Sequence, residues 1–215
     1  MLFRSALSVM ASVTREPAPV VGHSKGGAVM LQLCDASPYR ISRMVNIDGM
    51  PSKRRMPDVP DHDQSRMLAN EIGSWLDFRH EAAQSIRKPG TLEELAQRRG
   101  RMNPRLSKEW LEYLVTVGAQ RSADGWRWTL DPSMRFGGFG PWRPEWSSLR
   151  MAALAVPFLG LLGTVDEPMG WGARARDVKP WLPAGGRLEV LEGLGHFIHI
   201  EEPRRVADMV LEFVS

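Results

Sequence analysis

Pro19-Val20-Val21-Gly22-His23-Ser24-Lys25-Gly26-Gly27 is the stretch on which the reading of this chain turns. Its centre, Gly22 to Gly26, matches G-x-S-x-G, a pattern that places a serine on a very tight turn between a strand and a helix. The glycines have a steric purpose. Backbones pack so closely around such a serine that side chains two positions away on either side would clash. The turn lifts the Ser24 hydroxyl clear of the backbone and aims the amide of Lys25 at a reacting centre, and Gly27 gives the helix further room. The pattern alone arises often by chance, but here it has the required setting. Val20-Val21 is a short apolar run before it, and Ala28 to Leu33 reads as an apolar helix after it.

Working outward, Pro17 and Pro19 end a preceding amphipathic helix in which Leu2, Phe3, Ala6, Leu7 and Met10 fall at helical spacing. Three more short apolar segments follow the serine. Ile41 to Ile47 ends in Asp48-Gly49, Val156 to Leu162 ends in Gly163-Thr164-Val165-Asp166, and Arg187 to Leu191 ends in Gly193-Leu194-Gly195-His196. A last helix starts at Pro203, a residue suited to a first turn, with Val206, Met209, Val210 and Phe213 on one face. Strands alternating with helices predict an α/β fold with a mostly parallel sheet. In such sheets the active site lies beyond the carboxyl ends of the strands, where Ser24, Asp166 and His196 all fall.

Residues 52–150 read differently. Residues 64–87 carry a long helical pattern with Met67, Leu68, Ile72, Trp75 and Leu76. Thr91-Leu92-Glu93-Glu94 fits a capping box, and another helix is expected over Lys108 to Val117. Asp124-Gly125 marks a turn, and Arg135 to Trp146 is rich in Gly, Pro and Trp. The chain is thus expected to comprise a core of residues 1–51 and 151–215 with a mostly helical insertion at 52–150.

A serine hydroxyl needs a neighbouring base to become a nucleophile. Of the five histidines, His196 follows a strand through two glycines and precedes a helix, which puts it in a loop able to reach Ser24. His23 lies within the turn itself, with its side chain expected to point away from that of Ser24. His62 and His80 belong to the insertion, and His199 is expected to begin or flank a helix. A carboxylate should orient the imidazole. Asp166 is favoured, with the adjacent Glu167 and with Asp48, at the end of the second strand, as alternatives. The helix N-cap is the competing reading of Asp166.

Composition limits the other classes. The 215 residues suffice for one domain carrying a smaller inserted one, and 43% hydrophobic with 25% charged residues is ordinary for a globular protein. The net charge of +3 comes from scattered basic residues, with short clusters at Lys53-Arg54-Arg55, Arg98-Arg99 and Arg204-Arg205, and no dense basic stripe of the kind that binds nucleic acid. No run approaches the roughly 18 uninterrupted apolar residues of a membrane helix. One cysteine, Cys34, excludes an intramolecular disulfide and a cysteine-based metal site and fits a cytoplasmic location. Neither a metal nor a cofactor is implied, and the partner expected is a small acyl substrate.

The chain order Ser24, Asp166, His196 resembles that of the α/β-hydrolase fold superfamily. Pro19 to Gly27 is similar to the nucleophile elbow of that family, Pro157 to Asp166 to its acid strand, and Leu191 to Pro203 to its histidine loop and closing helix. The resemblance covers both ends of the chain and implies a capped serine hydrolase that cleaves carboxylic esters or related acyl bonds through an acyl-enzyme on Ser24, with the Lys25 amide in the oxyanion hole. It also implies that 52–150 is the helical cap that shapes the substrate pocket. Trp126, Trp128, Trp142 and Trp146 are candidates to line that pocket, or simply to hold the cap together. The nucleophile comes early for this family, so the chain corresponds to strands five to eight of the family's sheet. It is expected to lack the N-terminal strands and the loop that donates the second oxyanion hydrogen bond, a loss of about a hundred- to a thousandfold in rate. The exposed sheet edge then predicts self-association. The reading from another class is a catalytically impaired fragment that serves as a binding module.

Overall fold

The computed structural model describes residues 2–51, 72–73, 76–82, 84, 87–130 and 144–215. His62, Lys53-Arg54-Arg55, Met67, Leu68, Trp75, Trp142 and the side chain of Trp146 lie outside the described residues. In chain order the elements are α1 (Leu2–Val13), β1 (Ala18–His23), α2 (Lys25–Ala36), β2 (Ile41–Ile47), α3 (Leu92–Gly100), α4 (Lys108–Gly118), β3 (Ala119–Ser122) and β4 (Gly125–Trp128). They continue with α5 (Pro144–Ala152), β5 (Phe158–Gly163), α6 (Ala175–Val178), β6 (Arg187–Leu191), α7 (Ile198–Glu201) and α8 (Pro203–Val214). The chain divides into two compact units, Met1–Met56 with Pro144–Ser215, and Pro57–Arg143.

The first unit is built on a parallel sheet of order β1-β2-β5-β6. Its strands are short apolar runs because helices cover both faces, which removes any need for polar alternation. Side chains still alternate in direction. Met44, Phe158 and Leu162 point to a cluster with Val20, Leu31 and Cys34, joined by Ala6, Leu7 and Met10 of α1. Val45, Ile47, Leu159 and Leu161 point the other way, to Leu191, Ile198 and the Val206 and Phe213 stripe of α8. The amphipathic readings of α1 and α8 thus describe the faces these helices bury.

The boundary of this unit differs from the expected one at α5. Arg150 ion-pairs with Asp35 of α2 at 2.6 Å, and Met151 and Leu154 join the core beside Val156. These contacts attach the helix to the sheet, so the unit begins its second segment at Pro144 rather than at residue 151.

In the second unit the Thr91 hydroxyl accepts from the Glu94 amide at 3.1 Å, while the Glu94 carboxylate accepts from the Thr91 amide at 2.9 Å. Both halves of the capping box are therefore made. Asp124-Gly125 lies at the turn of an antiparallel hairpin, β3–β4, within a region expected to be mostly helical. Gly125 has φ +124°, which explains why glycine stands there. The hairpin lays Trp126 and Trp128 against Leu95, Ala96 and Val115. Within this unit the two tryptophans are partly buried and pack against the core. Of the 64–87 pattern, the described residues 72–73, 76–82 and 84 are helical.

Candidate active site

Ser24 occupies the turn between β1 and α2 with φ 53° and ψ −124°, a region that side chains rarely enter. Close packing enforces it. A methyl group on Gly22 would stand 2.5 Å from the Gly26 carbonyl oxygen, and one on Gly49 would stand 2.1 Å from that of Ser24. Gly26 itself has open space, with nothing within 4 Å outside its own helix backbone. The steric demand expected on both sides of the serine thus falls on Gly22, and on Gly49 from the neighbouring strand end.

Asp48 repeats the pattern one strand along. It follows β2 with φ 46°, and its amide continues the sheet ladder to Leu161 O at 2.8 Å. Asparagine 46, fully buried, accepts the Gly49 amide at 2.9 Å through Oδ1 and so closes this second turn. Nothing in the sequence pattern singles out Asn46 for this.

His196 is 2% exposed and lies between these two turns. Its Nε2 is 2.8 Å from Ser24 Oγ and its Nδ1 is 2.6 Å from Asp48 Oδ2. Asp48 Oδ1 also accepts from the Gly163 amide at 3.4 Å. With Nδ1–H donated to the carboxylate, Nε2 carries the lone pair that faces the serine hydroxyl.

The carboxylate at His196 Nδ1 is therefore not that of Asp166. Asp166 stands in the loop after β5, 49% exposed, and pairs with Arg174 at 2.7 Å. Glu167 does not reach the ring either. It is 3% exposed, and its Oε2 accepts the His196 main-chain amide at 2.5 Å while Oε1 is buried without a partner. Three carboxylates follow strand ends in this sequence. Which one meets the imidazole depends on where each side chain is directed, Asp48 to the ring, Glu167 to the main-chain amide and Asp166 to Arg174, and spacing along the chain does not encode that direction.

The remaining histidines divide as follows. The His23 ring packs 4.7 Å from that of His196, 4.8 Å from Phe197 and 4.5 Å from His199, and His23 Nε2 donates to the His196 carbonyl at 2.8 Å. His199 lies in α7, its Nδ1 buried without a partner. Burial first, and then the neighbouring His196, lower its pKa. His80, in the second unit, contacts Gln84 at 3.0 Å. Among the described residues no group of three or more His, Cys, Asp or Glu side chains is arranged to hold a metal ion. Likewise no helix of the described residues is long and apolar enough to cross a membrane.

A parallel α/β sheet with a strained serine, an aspartate and a histidine on the loops that follow β1, β2 and β6 at its carboxyl edge defines a hydrolase-type architecture. Residues 3–209 match the model of the alpha/beta hydrolase family, and the chain belongs to that family. No curated protein sequence matches it significantly. Among solved structures it is similar to the thioesterase domain of the curacin biosynthetic pathway, with a TM-score of 0.74 and 19% identity over 98% of this chain and 71% of that one. A hypothetical protein from Pseudomonas aeruginosa gives a TM-score of 0.69 with 23% identity, at 98% and 71% coverage. An esterase from Mycobacterium tuberculosis gives 0.66 with 18% identity, at 97% and 66% coverage. At these identities the likeness is one of fold.

Proposed function

We propose that the chain is a serine hydrolase of carboxylic esters or related acyl bonds, with Ser24 as nucleophile, His196 as general base and Asp48 as the carboxylate that orients it. The observation that carries this reading is the unbroken relay Ser24 Oγ–His196 Nε2, 2.8 Å, and His196 Nδ1–Asp48 Oδ2, 2.6 Å. Ser24 Oγ attacks the acyl carbon while its proton passes to His196 Nε2. Asp48 holds the imidazole in the tautomer that can accept it and stabilises the imidazolium. Lys25 opens α2, so its amide lies at the positive end of a helix, suited to receive the oxyanion. Collapse expels the alcohol, which takes the proton from His196, and water then repeats the sequence on the acyl-serine.

The test is pre-steady-state hydrolysis of a 4-nitrophenyl ester. A burst of nitrophenol equal to the protein concentration, absent in Ser24→Ala, is the expected result. Hydrolysis by Ser24→Ala at the wild-type rate would remove Ser24 from the mechanism.

A further inference from the structure

The relay uses only the two ring nitrogens of His196, yet all four of its polar groups are engaged by side chains. The main-chain amide goes to Glu167 Oε2 at 2.5 Å, and the main-chain carbonyl accepts from His23 Nε2 at 2.8 Å. These two residues come from different parts of the fold, Glu167 from the loop after β5 and His23 from the end of β1. We infer that Glu167 and His23 are positioning residues, a clamp on the backbone of the base that fixes where its ring stands between Ser24 and Asp48.

The loop that carries His196 explains why a clamp is needed. Gly193-Leu194-Gly195 holds two glycines, and Gly193 has φ +77°, so the segment has little intrinsic stiffness. Its order comes from outside. The Gly193 amide donates to Thr164 Oγ1 at 2.9 Å, Gly195 to Glu201 Oε1 at 2.8 Å, and His196 to Glu167. Only Leu194, which donates to Leu191 O at 3.3 Å, uses a backbone acceptor. Bonds from three of these four amides to side chains replace the ladder that a regular element would supply. Those of Thr164 and Glu201 fix the approach to the base, while those of Glu167 and His23 act on the base itself.

Burial makes the His196 bonds exacting. Glu167 is 3% exposed, and one of its oxygens already lacks a partner. Water does not readily replace the bond to the amide, so the loop must shift if the acceptor is removed. A displacement of about 1 Å at a catalytic group can cost roughly a hundredfold in rate. His23 works from the other side with its ring held among His196, Phe197 and His199, so its donor has a fixed direction.

This inference rests on His196 being the base, and its test separates the two claims. Burst kinetics with the 4-nitrophenyl ester are measured on wild type, Ser24→Ala, Glu167→Leu, Glu167→Gln, His23→Leu and His23→Gln. Glutamine restores an acceptor oxygen at 167 and an N–H donor at 23, whereas leucine supplies neither. Both leucine variants are expected to lose about ten- to a hundredfold in acylation rate with KM changed by less than about twofold, and both glutamine variants to recover most of the loss. A purely structural role would instead lower the folded fraction and leave the rate per active site unchanged, which the burst amplitude counts. Wild-type acylation rates in the leucine variants, or glutamine variants as slow as the leucine ones, would overturn the clamp. If one leucine variant does not fold, the pair at the other position decides. Adding His196→Ala separates the two claims: loss of the burst in Ser24→Ala and His196→Ala, with all clamp variants normal, would leave nucleophile and base in place and overturn only the clamp.

Discussion

At the scale of single residues, the proposed chemistry turns on Asp48 rather than Asp166. Asp166 spends its charge on Arg174 at the surface, both side chains about half exposed. Such pairs contribute about 0–1 kcal/mol. Asp166→Asn is therefore expected to leave turnover within about twofold of wild type. Asp48→Asn should lower it by about a thousandfold or more, because the amide favours the wrong imidazole tautomer. Steady-state kinetics on the two variants check this. That Ser24 and His196 lie together was legible because glycines and strand ends mark both. The sequence favoured Asp166 over Asp48 and Glu167, whereas Asp48 is the one that meets the ring, because all three follow strand ends and the direction of each side chain is not encoded along the chain. His23 and Glu167 carried no such signal as a clamp, because both act through main-chain atoms of a residue far away in sequence.

His199 supplies a pH prediction at the same scale. Its folded pKa lies below the ordinary value near 6.5 because burial and His196 disfavour the charged form. Well above pH 6.5 the group is neutral in both states and contributes nothing to the pH dependence. As pH falls through the unfolded value, the unfolded chain takes up the proton first, so stability falls with it. Urea midpoints measured at pH 7.5 and pH 5.5 should thus differ less in His199→Gln than in wild type. An equal or larger difference in the variant would show that His199 is not responsible.

At the scale of elements, the elbow and the turn after β2 act as one interlocked pair. Gly22 and Gly49 face backbone atoms that cannot swing aside, whereas Gly26 faces open space. Alanine at Gly22 or Gly49 is expected to cost at least about 1–3 kcal/mol by forcing backbone shifts. At Gly26, in the first turn of α2, it should be neutral or stabilising by up to about 1 kcal/mol. Denaturant midpoints on the three variants test this, and a destabilised Gly26→Ala would contradict it. The motif showed where the glycines were but treated Gly22 and Gly26 alike. The partner that breaks the symmetry, Gly49, sits in the turn after another strand, β2. Elsewhere the element boundaries were legible where a short apolar run ends in a glycine loop, as at Ile41–Ile47 and Arg187–Leu191. The hairpin Ala119–Ser122 with Gly125–Trp128 was not, because four-residue strands are too short to establish a period.

At the scale of the whole molecule, the sheet order leaves β1 at one edge, with no strand on its outer side among the described residues. Val21 there is 48% exposed although its neighbour Val20 is buried. Open, apolar edges pair with other chains. The chain is proposed to self-associate along β1, so sedimentation velocity should show oligomers that Val21→Lys disperses. A monomer at high concentration would argue against it. The four strands, their order along the chain and the covering helices α1, α2 and α8 were readable, since each strand is an apolar run closed by a glycine loop. How residues 52–150 divide from the sheet was less so. The assignment of α5 rests on the Arg150–Asp35 pair and on Met151, contacts that bring together residues distant in sequence.

The relay itself is tested most directly by the site and rate of covalent modification with a fluorophosphonate. Such a reagent needs an activated serine and no particular substrate pocket. Peptide mass spectrometry is expected to find the adduct on Ser24, at a rate lowered by about a thousandfold in Asp48→Asn and unchanged in Asp166→Asn. Modification of Ser24 at the wild-type rate in Asp48→Asn, with the loss appearing in Asp166→Asn, would contradict the relay from Ser24 through His196 to Asp48.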